Sequence, residues 1–336
     1  MTVSFSISLN SEHGPTVDAV KLAVLAEKQG LECVWYCQDL FKRDAWVFLT
    51  AAASHTERIH LGTGIVNPYT VNPAELTMHA ATLDEYSGGR LRLGISVGAI
   101  DFLRWVGIEV SRPISAMRES IELIRKLMRG ERVEHDGKVF RGWTKDAYMR
   151  FNPLRRQIPI YLGAQSRQML ELTGEIADGG LPLLFPPEYI EEVLELISSG
   201  ASRAGRKFEE LDVVGCIWFS VSEDPEKAKN ALRDLVTFYG PHLAAEMIAK
   251  VGLSTEDFDP IRYAISERNY TKARGLMTDN MAELAVHGTP DDCIERISKL
   301  KDKGLPHIRF GPPLGPSPEN AIKLIGRDII PYLKQE

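Results

Sequence analysis

Two stretches of the chain carry residue types suited to holding a ligand through the backbone. The first is Ile59-His60-Leu61-Gly62-Thr63-Gly64-Ile65-Val66-Asn67-Pro68-Tyr69. It begins with β-type spacing at Ile59 and Leu61. Two glycines then bracket Thr63, and Asn67-Pro68 forces an extended or turned exit. Glycine at a strand end lets the backbone bend sharply or lets a ligand approach it closely. The stretch is therefore either a plain strand-to-loop turn or a backbone wall for a bound ring. The second is Gly163-Ala164-Gln165-Ser166. Small residues between a strand and a helix expose N–H groups, and a helix N-terminus attracts anions, so this segment reads as a phosphate cradle. No Gly-Lys-Thr follows, so it is not a Walker A loop. Simple strand-to-helix turns share the same look.

Single groups give weaker chemical signals. Asp39 is a general acid/base, a polar anchor or a solvated loop aspartate. Cys37 lacks a neighbouring His or Lys that would mark a reactive thiolate, and reads as packing or a weak polar contact. His13 and His79 have no evident partner. Asp101 and Arg104 line a site mouth or pair with each other, and Asp84-Glu85 reads as a charge pair at a helix end. Ser-His-Asp spacing, a His-rich metal set and paired carboxylates are all missing from the pattern, so no metal is expected. Cys33, Cys37, Cys216 and Cys293 supply no second close pair, and the expectation is buried thiols in a reducing cytoplasm.

The elements that must position these groups follow a repeating pattern. Strands are predicted over 3–9, 32–37, 59–63, 90–96, 158–162, 179–183, 211–220 and 307–310. Helices are predicted over 17–29 with Thr16 as cap, 44–55, 73–86, 113–128, 165–176, 187–204 and from 317 to about 333. Residues 131–152 read as a mixed excursion with a hairpin turn at Asp136-Gly137. Residues 222–304 break the rhythm and read as helices, over 224–238, 241–251, 259–267, 278–283 and 290–303, with no convincing strand. Parallel βαβ units repeated eight times imply an α/β fold, a (β/α)8 TIM barrel over 1–336 with insertions after strands four and seven.

Bulk properties narrow the function classes. In 336 residues, 44% are apolar and 26% charged, which suits a globular protein with a normal core. A net charge of -6 argues against nucleic acid as partner. No apolar run is long enough for a membrane span, and the N-terminal residues lack the pattern of a signal peptide. The expectation is a cytoplasmic protein acting on a small molecule.

In such a barrel the ligand site lies at the C-terminal strand ends. Those ends are Ser8 and Asn10; Cys37 to Asp39; Thr63 to Asn67; Ser96 to Ala99; Gly163 to Ser166; Pro182; Phe219 to Ser222; and Gly311 to Pro313. Both candidate stretches fall among them.

Several of these segments, taken together, resemble the bacterial-luciferase-like superfamily of flavin and deazaflavin enzymes over nearly the whole chain. They are Leu61 to Pro68, Ala81 to Arg90 leading into Leu93-Gly94-Ile95, Pro159 to Ala164, Gly288-Thr289-Pro290 and Gly311 to Pro316. Val66 to Tyr69, Gly163 to Gln165 and Leu314 to Pro316 look most like the methylenetetrahydromethanopterin reductases, which use coenzyme F420. The resemblance implies a barrel, a deazaflavin ring against the strand-three bulge, hydride transfer at the ring's C5, and a non-prolyl cis peptide at Gly64-Ile65. Implied cofactor contacts are Cys37, Thr63, Gly64, Ile65, Asn67, Ser96, Val97, Gly98, Gly163, Ala164, Gln165 and Ser166. The acid-base candidates are Asp39 and Gln38.

Three positions depart from the reductase pattern. A strand-one glutamate is Ser8 here, an Asp-His pair after strand two is Gln38-Asp39, and an acidic residue after strand four is Ala99. Two alternatives therefore stand beside an F420-dependent oxidoreductase. One is an FMN-dependent luciferase-like monooxygenase or reductase. The other is a catalytically reduced homologue that acts as a cofactor-binding or partner subunit. The superfamily also implies a homodimer or higher homo-oligomer, with Trp46 and Phe48 as candidate apolar contacts.

Overall fold

A computed structural model describes residues 3–335. Nine parallel strands form one sheet: β1 (Ser4–Leu9), β2 (Cys33–Tyr36), β3 (His60–Thr63), β4 (Leu91–Ile95), β5 (Ile160–Ala164), β6 (Gly179–Leu184), β7 (Asp212–Val221), β8 (Val286–Gly288) and β9 (His307–Leu314). Strands β1 to β7 and β9 close into the barrel: β6 pairs with β7, β7 with β9, and β9 with β1. Strand β8 adds to the far end of β7, with Phe219 opposite Val286 and Val221 opposite Gly288.

The helices between the strands are α1 (Thr16–Lys28), α2 (Ala45–His55), α3 (Pro73–Tyr86), α4 (Ile100–Trp105), α5 (Pro113–Met128), α6 (Arg167–Ile176) and α7 (Ile190–Arg203). The segment between β7 and β9 holds α8 (Pro225–Ala231), α9 (Arg233–Tyr239), α10 (Ala245–Ile248), α11 (Asp259–Ser266), α12 (Tyr270–Gly275), α13 (Asp279–Ala282) and α14 (Pro290–Asp302). Helices α15 (Pro318–Leu324) and α16 (Ile330–Gln335) close the chain around a π turn.

Period-2 alternation explains the barrel. Phe5, Ile7 and Leu9 point outward into the apolar layer under the helices, where Phe5 stacks on Phe310. Ser6 and Ser8 point inward: Ser6 accepts from the Trp35 indole at 3.2 Å and Ser8 from Arg309 at 2.9 Å. The lower interior is polar. Asp212 accepts from Tyr161 at 2.8 Å, meets His307 Nδ1 at 3.1 Å and Arg92 at 3.4 Å. Burial pushes the Asp212 carboxyl up, but His307, Arg92 and Tyr161 outweigh it and hold the group below the usual range.

Both insertions are tied to the frame. Within 131–152, His135 pairs antiparallel with Trp143 and Gly137 N–H donates to Phe140 O at 2.8 Å, so a short hairpin forms, but its tip is Lys138-Val139 and not the predicted Asp136-Gly137. Glu119 of α5 accepts the N–H groups of Lys138, Val139 and Phe140 at 2.8, 3.1 and 3.0 Å. The helical insertion has its own apolar core, which includes Leu235, Val236, Ile248 and Phe258, and this rests on Phe185 and Trp218 at the ends of β6 and β7. Phe185 and Trp218 stack at 4.2 Å.

Several expectations are corrected. The 222–304 segment contains a strand, β8, too short at three residues for alternation to show. Thr16 lies inside α1 and does not cap it; Pro15 holds that position. Phe48 is not a surface contact: it is fully buried and stacks on Tyr36 at 4.1 Å. Trp46 is half-buried beside His79, at 5.2 Å. Asp84 does not serve as a charge pair with Glu85; it is buried and takes Arg155 Nε at 2.9 Å and Nη2 at 2.5 Å. No helix among the described residues is long and apolar enough to cross a membrane.

Candidate active site

Strand β3 leaves its ladder in mid-course. Its pairing with β4 stops at Gly62 opposite Arg92. Gly62 has no alternative residue, because a Cβ there would stand 2.2 Å from the Trp35 ring. Beyond it, the Thr63 side chain takes over the ladder bonds to Gly94, and the backbone bulges out at Gly64-Ile65. Their peptide bond is cis, as the resemblance implies. Gly64 N–H donates to Tyr36 O at 2.8 Å and Ile65 O accepts from Gln38 N–H at 3.3 Å. Val66 then rejoins β4, donating to Gly94 O and accepting from Ser96 N–H. Gly64 and Ile65 are half-buried within a run that is otherwise closed from Leu61 to Pro68. The bulge is thus a shelf, held on both sides and open above.

Neighbouring strands frame that shelf. Ser96 donates to Gly163 O at 2.8 Å, joining β4 to β5. A Cβ on Gly163 would lie 2.9 Å from Ser96 Cβ and 3.0 Å from Ile65 Cγ2. Gly98, at φ +75°, faces Ile65 and the Asn67 amide. Asn67 is buried; its amide donates to Val97 O and its oxygen accepts from Tyr69 N–H at 2.7 Å. Thr63, Gly64, Ile65, Asn67, Ser96, Val97, Gly98 and Gly163 therefore lie together. Ala164 leads to exposed Gln165 and Ser166, and Ser166 is the N-cap of α6, accepting from Met169 N–H at 3.4 Å. The N-terminus of α6 opens beside the shelf.

The acid-base candidates sit on the loop after β2. Asp39 is half-buried, and burial pushes its carboxyl up; Lys42 opposes this and Glu12 adds to it. Gln38 is fully engaged: its oxygen accepts Ala45 N–H at 2.6 Å and its amide donates to Asp44 at 3.1 Å, fixing the start of α2. Cys37 lies 4.0 Å from the Ser8 hydroxyl, and burial pushes its thiol up to about 11, so it is neutral. His13 is buried against Asn10, and desolvation lowers it to about 4. His79 lies on the outer face of α3, 3.8 Å from Glu75. Asp101 and Arg104 pair with each other at 3.3 Å on exposed α4.

Three features were not singled out in the sequence. Arg309 is buried against Gly64. Its signal was a charge between Ile308 and Phe310 in a predicted strand. Phe41, Phe102 and Trp105 form an aromatic rim across the loops after β2 and β4, with ring centroids 4.9–6.4 Å apart. Phe41 and Trp105 are 71% and 68% exposed, unusual for such side chains. Tyr239 of α9 faces the same mouth, and burial pushes its phenol up to about 12, with smaller contributions from Glu12 and Asp39. By contrast, the recess of about 660 Å³ near Arg125, Arg155 and Arg206 lies at the opposite end of the barrel. Three of its arginines, Arg125, Arg155 and Arg206, are engaged by Asp178, by Asp84 and by the carbonyls of Gly174 and Ala177.

The family model described as luciferase-like monooxygenase matches residues 3–307. The chain belongs to this family. It is 37% identical over 319 residues to a 5,10-methylenetetrahydromethanopterin reductase from Methanolobus tindarius, covering 94% of this chain and 96% of that one. The solved structure of a coenzyme F420-dependent tetrahydromethanopterin reductase from Methanopyrus kandleri superposes with a TM-score of 0.93 at 32% identity, covering 99% and 100% of the two chains. An F420-dependent secondary alcohol dehydrogenase, solved with an F420-acetone adduct, shares the fold at a TM-score of 0.80 and 21% identity, covering 99% of each chain.

Proposed function

We propose that this luciferase-like chain is a coenzyme F420-dependent oxidoreductase that transfers hydride between the deazaflavin and a methylene-tetrahydropterin. The observation that carries the reading is the Gly64-Ile65 shelf, intact in a chain similar along its whole length to the tetrahydromethanopterin reductases.

The residues fit the coenzyme. Half-buried Gly64 and Ile65 offer a flat backbone surface, and Gly98 and Gly163 keep its flank free of side chains. The N-terminus of the ten-residue helix α6, with exposed Gln165 and Ser166, suits a phosphate. When bound, the coenzyme supplies a hydride at C5. The protein supplies orientation and proton handling. Ile65 and Gly64 would orient the ring. Asp39, its carboxyl pushed up by burial, holds a proton at the mouth more readily than a free aspartate does. Gln38 orients the loop that carries it. The aromatic rim of Phe41, Phe102 and Trp105 would stack a flat substrate ring, and the insertion bearing Tyr239 would cover the coenzyme tail.

Anaerobic absorbance titration with oxidised F420, followed by turnover of methylene-tetrahydromethanopterin with the reduced coenzyme, tests the reading. Micromolar binding with turnover is expected. Binding of FMN in place of F420 overturns the coenzyme assignment. Binding without turnover favours the second reading, a catalytically reduced homologue, which the changes at Ser8, Gln38 and Ala99 support.

Two further assignments belong to this proposal. Exposed Val47 of α2 and Met78 and Tyr86 of α3 offer an apolar face for pairing of two copies, checked by sedimentation of the purified protein. Four free thiols suit the reducing cytoplasm.

A further inference from the structure

Arg309 is a buried cation at the heart of the site. It is 4% exposed and points into the barrel from β9, opposite Ser6 of β1 and Cys216 of β7. Its Nη2 donates to Ser8 Oγ at 2.9 Å, and the guanidinium lies 5.8 Å from the Trp35 ring centroid. Both terminal nitrogens stand 3.3 Å from where a Cβ on Gly64 would be, so the guanidinium lies directly against the first residue of the shelf. Nε is buried and has no hydrogen-bond partner among the described residues.

Among the described residues no carboxylate lies within ion-pair distance of Arg309, whereas Arg92, in the layer below, has Asp212. Arg309 bonds the Ser8 hydroxyl and acts electrostatically on the thiols Cys37 and Cys216. Burial pushes both thiols up, so they are neutral at physiological pH and supply no counter-charge. Arginine does not relieve burial by losing its proton. An unpaired buried charge destabilises the fold. A side chain kept at such cost beside a ligand shelf is explained by what it contacts once ligand is present.

We infer that Arg309 is the anion receptor of this site, donating through its guanidinium to an anionic or anion-developing oxygen of the bound ligand. The inference rests on the functional reading above for the site's identity, though not for the charge balance itself. Two ligand oxygens share the required chemistry: a carbonyl on the coenzyme ring, which gains negative character when the ring accepts hydride, and a carbonyl on the substrate ring. A planar, permanently charged donor suits either.

The test compares wild type with Arg309→Met, close in length but neutral, and Arg309→Lys, which keeps charge without the fork. Each is titrated with oxidised F420 and with FMN, assayed for KM, and melted without ligand. The expected result is a loss of about tenfold or more for Met, partly recovered in Lys. A weakened coenzyme Kd identifies the coenzyme ring as the contact; an unchanged Kd with a raised KM identifies the substrate. The ligand-free melting temperature of Arg309→Met is expected to match or exceed that of wild type, because an unpaired buried charge is replaced by an apolar group. A fall of more than about 5 °C makes Arg309 a structural strut and overturns the inference. Ligand parameters within about twofold of wild type in both variants overturn it equally. Should wild type bind neither coenzyme, the proposed function fails, and the melting comparison alone decides on Arg309.

Discussion

Thr63 and Gly94 are bonded in both directions: the Thr63 hydroxyl donates to Gly94 O at 2.8 Å and accepts from Gly94 N–H at 2.8 Å. One side chain thus does the work of a backbone ladder rung, which frees the β3 backbone to bulge. Thr63→Val keeps the shape and removes both bonds, leaving the Gly94 N–H buried and unpaired. A loss of about 1–3 kcal/mol in urea unfolding is expected, with weaker coenzyme binding by absorbance titration.

Gly163→Ala tests the flank of the shelf. Its Cβ would press on Ser96 Cβ at 2.9 Å and Ile65 Cγ2 at 3.0 Å, and Ile65 is the neighbour free to move. Coenzyme affinity should fall by about tenfold, for a strain of about 1–3 kcal/mol. Unchanged affinity would show that Ile65 does not touch the ring.

Asp39→Asn removes the proton that burial helps its carboxyl retain. A fall in kcat of about 100-fold is expected, with coenzyme Kd unchanged. In wild type, kcat declines as pH rises through a pKa above the ordinary 3.8, because the protonated form is the acid. A pH profile in which the variant keeps this limb would assign the acid elsewhere.

Trp105→Ala opens the aromatic rim. Because Trp105 is 68% exposed, stability should change by less than about 0.5 kcal/mol. KM for a flat substrate should rise about tenfold, on the scale of a lost stacking contact. Steady-state kinetics with unaltered KM would remove the rim from the site.

Glu119→Gln loosens the hairpin over 131–152. Burial raises the Glu119 carboxyl, but the N–H groups of Phe140, Val139 and Lys138 outweigh this and hold it below its ordinary 4.5. The stabilisation is therefore full above that value and is lost as pH falls through the lower folded pKa. Denaturation at neutral pH should show a loss of about 2 kcal/mol for the variant, narrowing towards wild type in acid.

The barrel was legible because its strands alternate and its helices carry glycine and proline punctuation. Where that signal is absent, the reading failed for identifiable reasons. Helix α2 opens Ala45-Trp46-Val47-Phe48-Leu49, apolar on every side, so nothing in its pattern tells that Phe48 is buried while Val47 is 62% exposed. Asp84 finds its partner in Arg155, far along the chain, and adjacency to Glu85 pointed the wrong way. Strand β9 runs on to Leu314 through Pro312 and Pro313, residues that argue against a strand. The shelf announced itself through Gly62 and Gly64. Arg309 did not, since only barrel closure turns its strand position into a place against Gly64.

Closure between β1 and β9 sets an order on biosynthesis. Ser8 and Arg309 are 301 positions apart, yet they share a hydrogen bond at the centre of the site. A chain emerging from the ribosome can stack its early βα units against one another, but β1 keeps a bare edge until residues 307–314 are made. The candidate site is therefore completed only when β9 docks, and premature termination before β9 leaves a strand edge open to association with other chains.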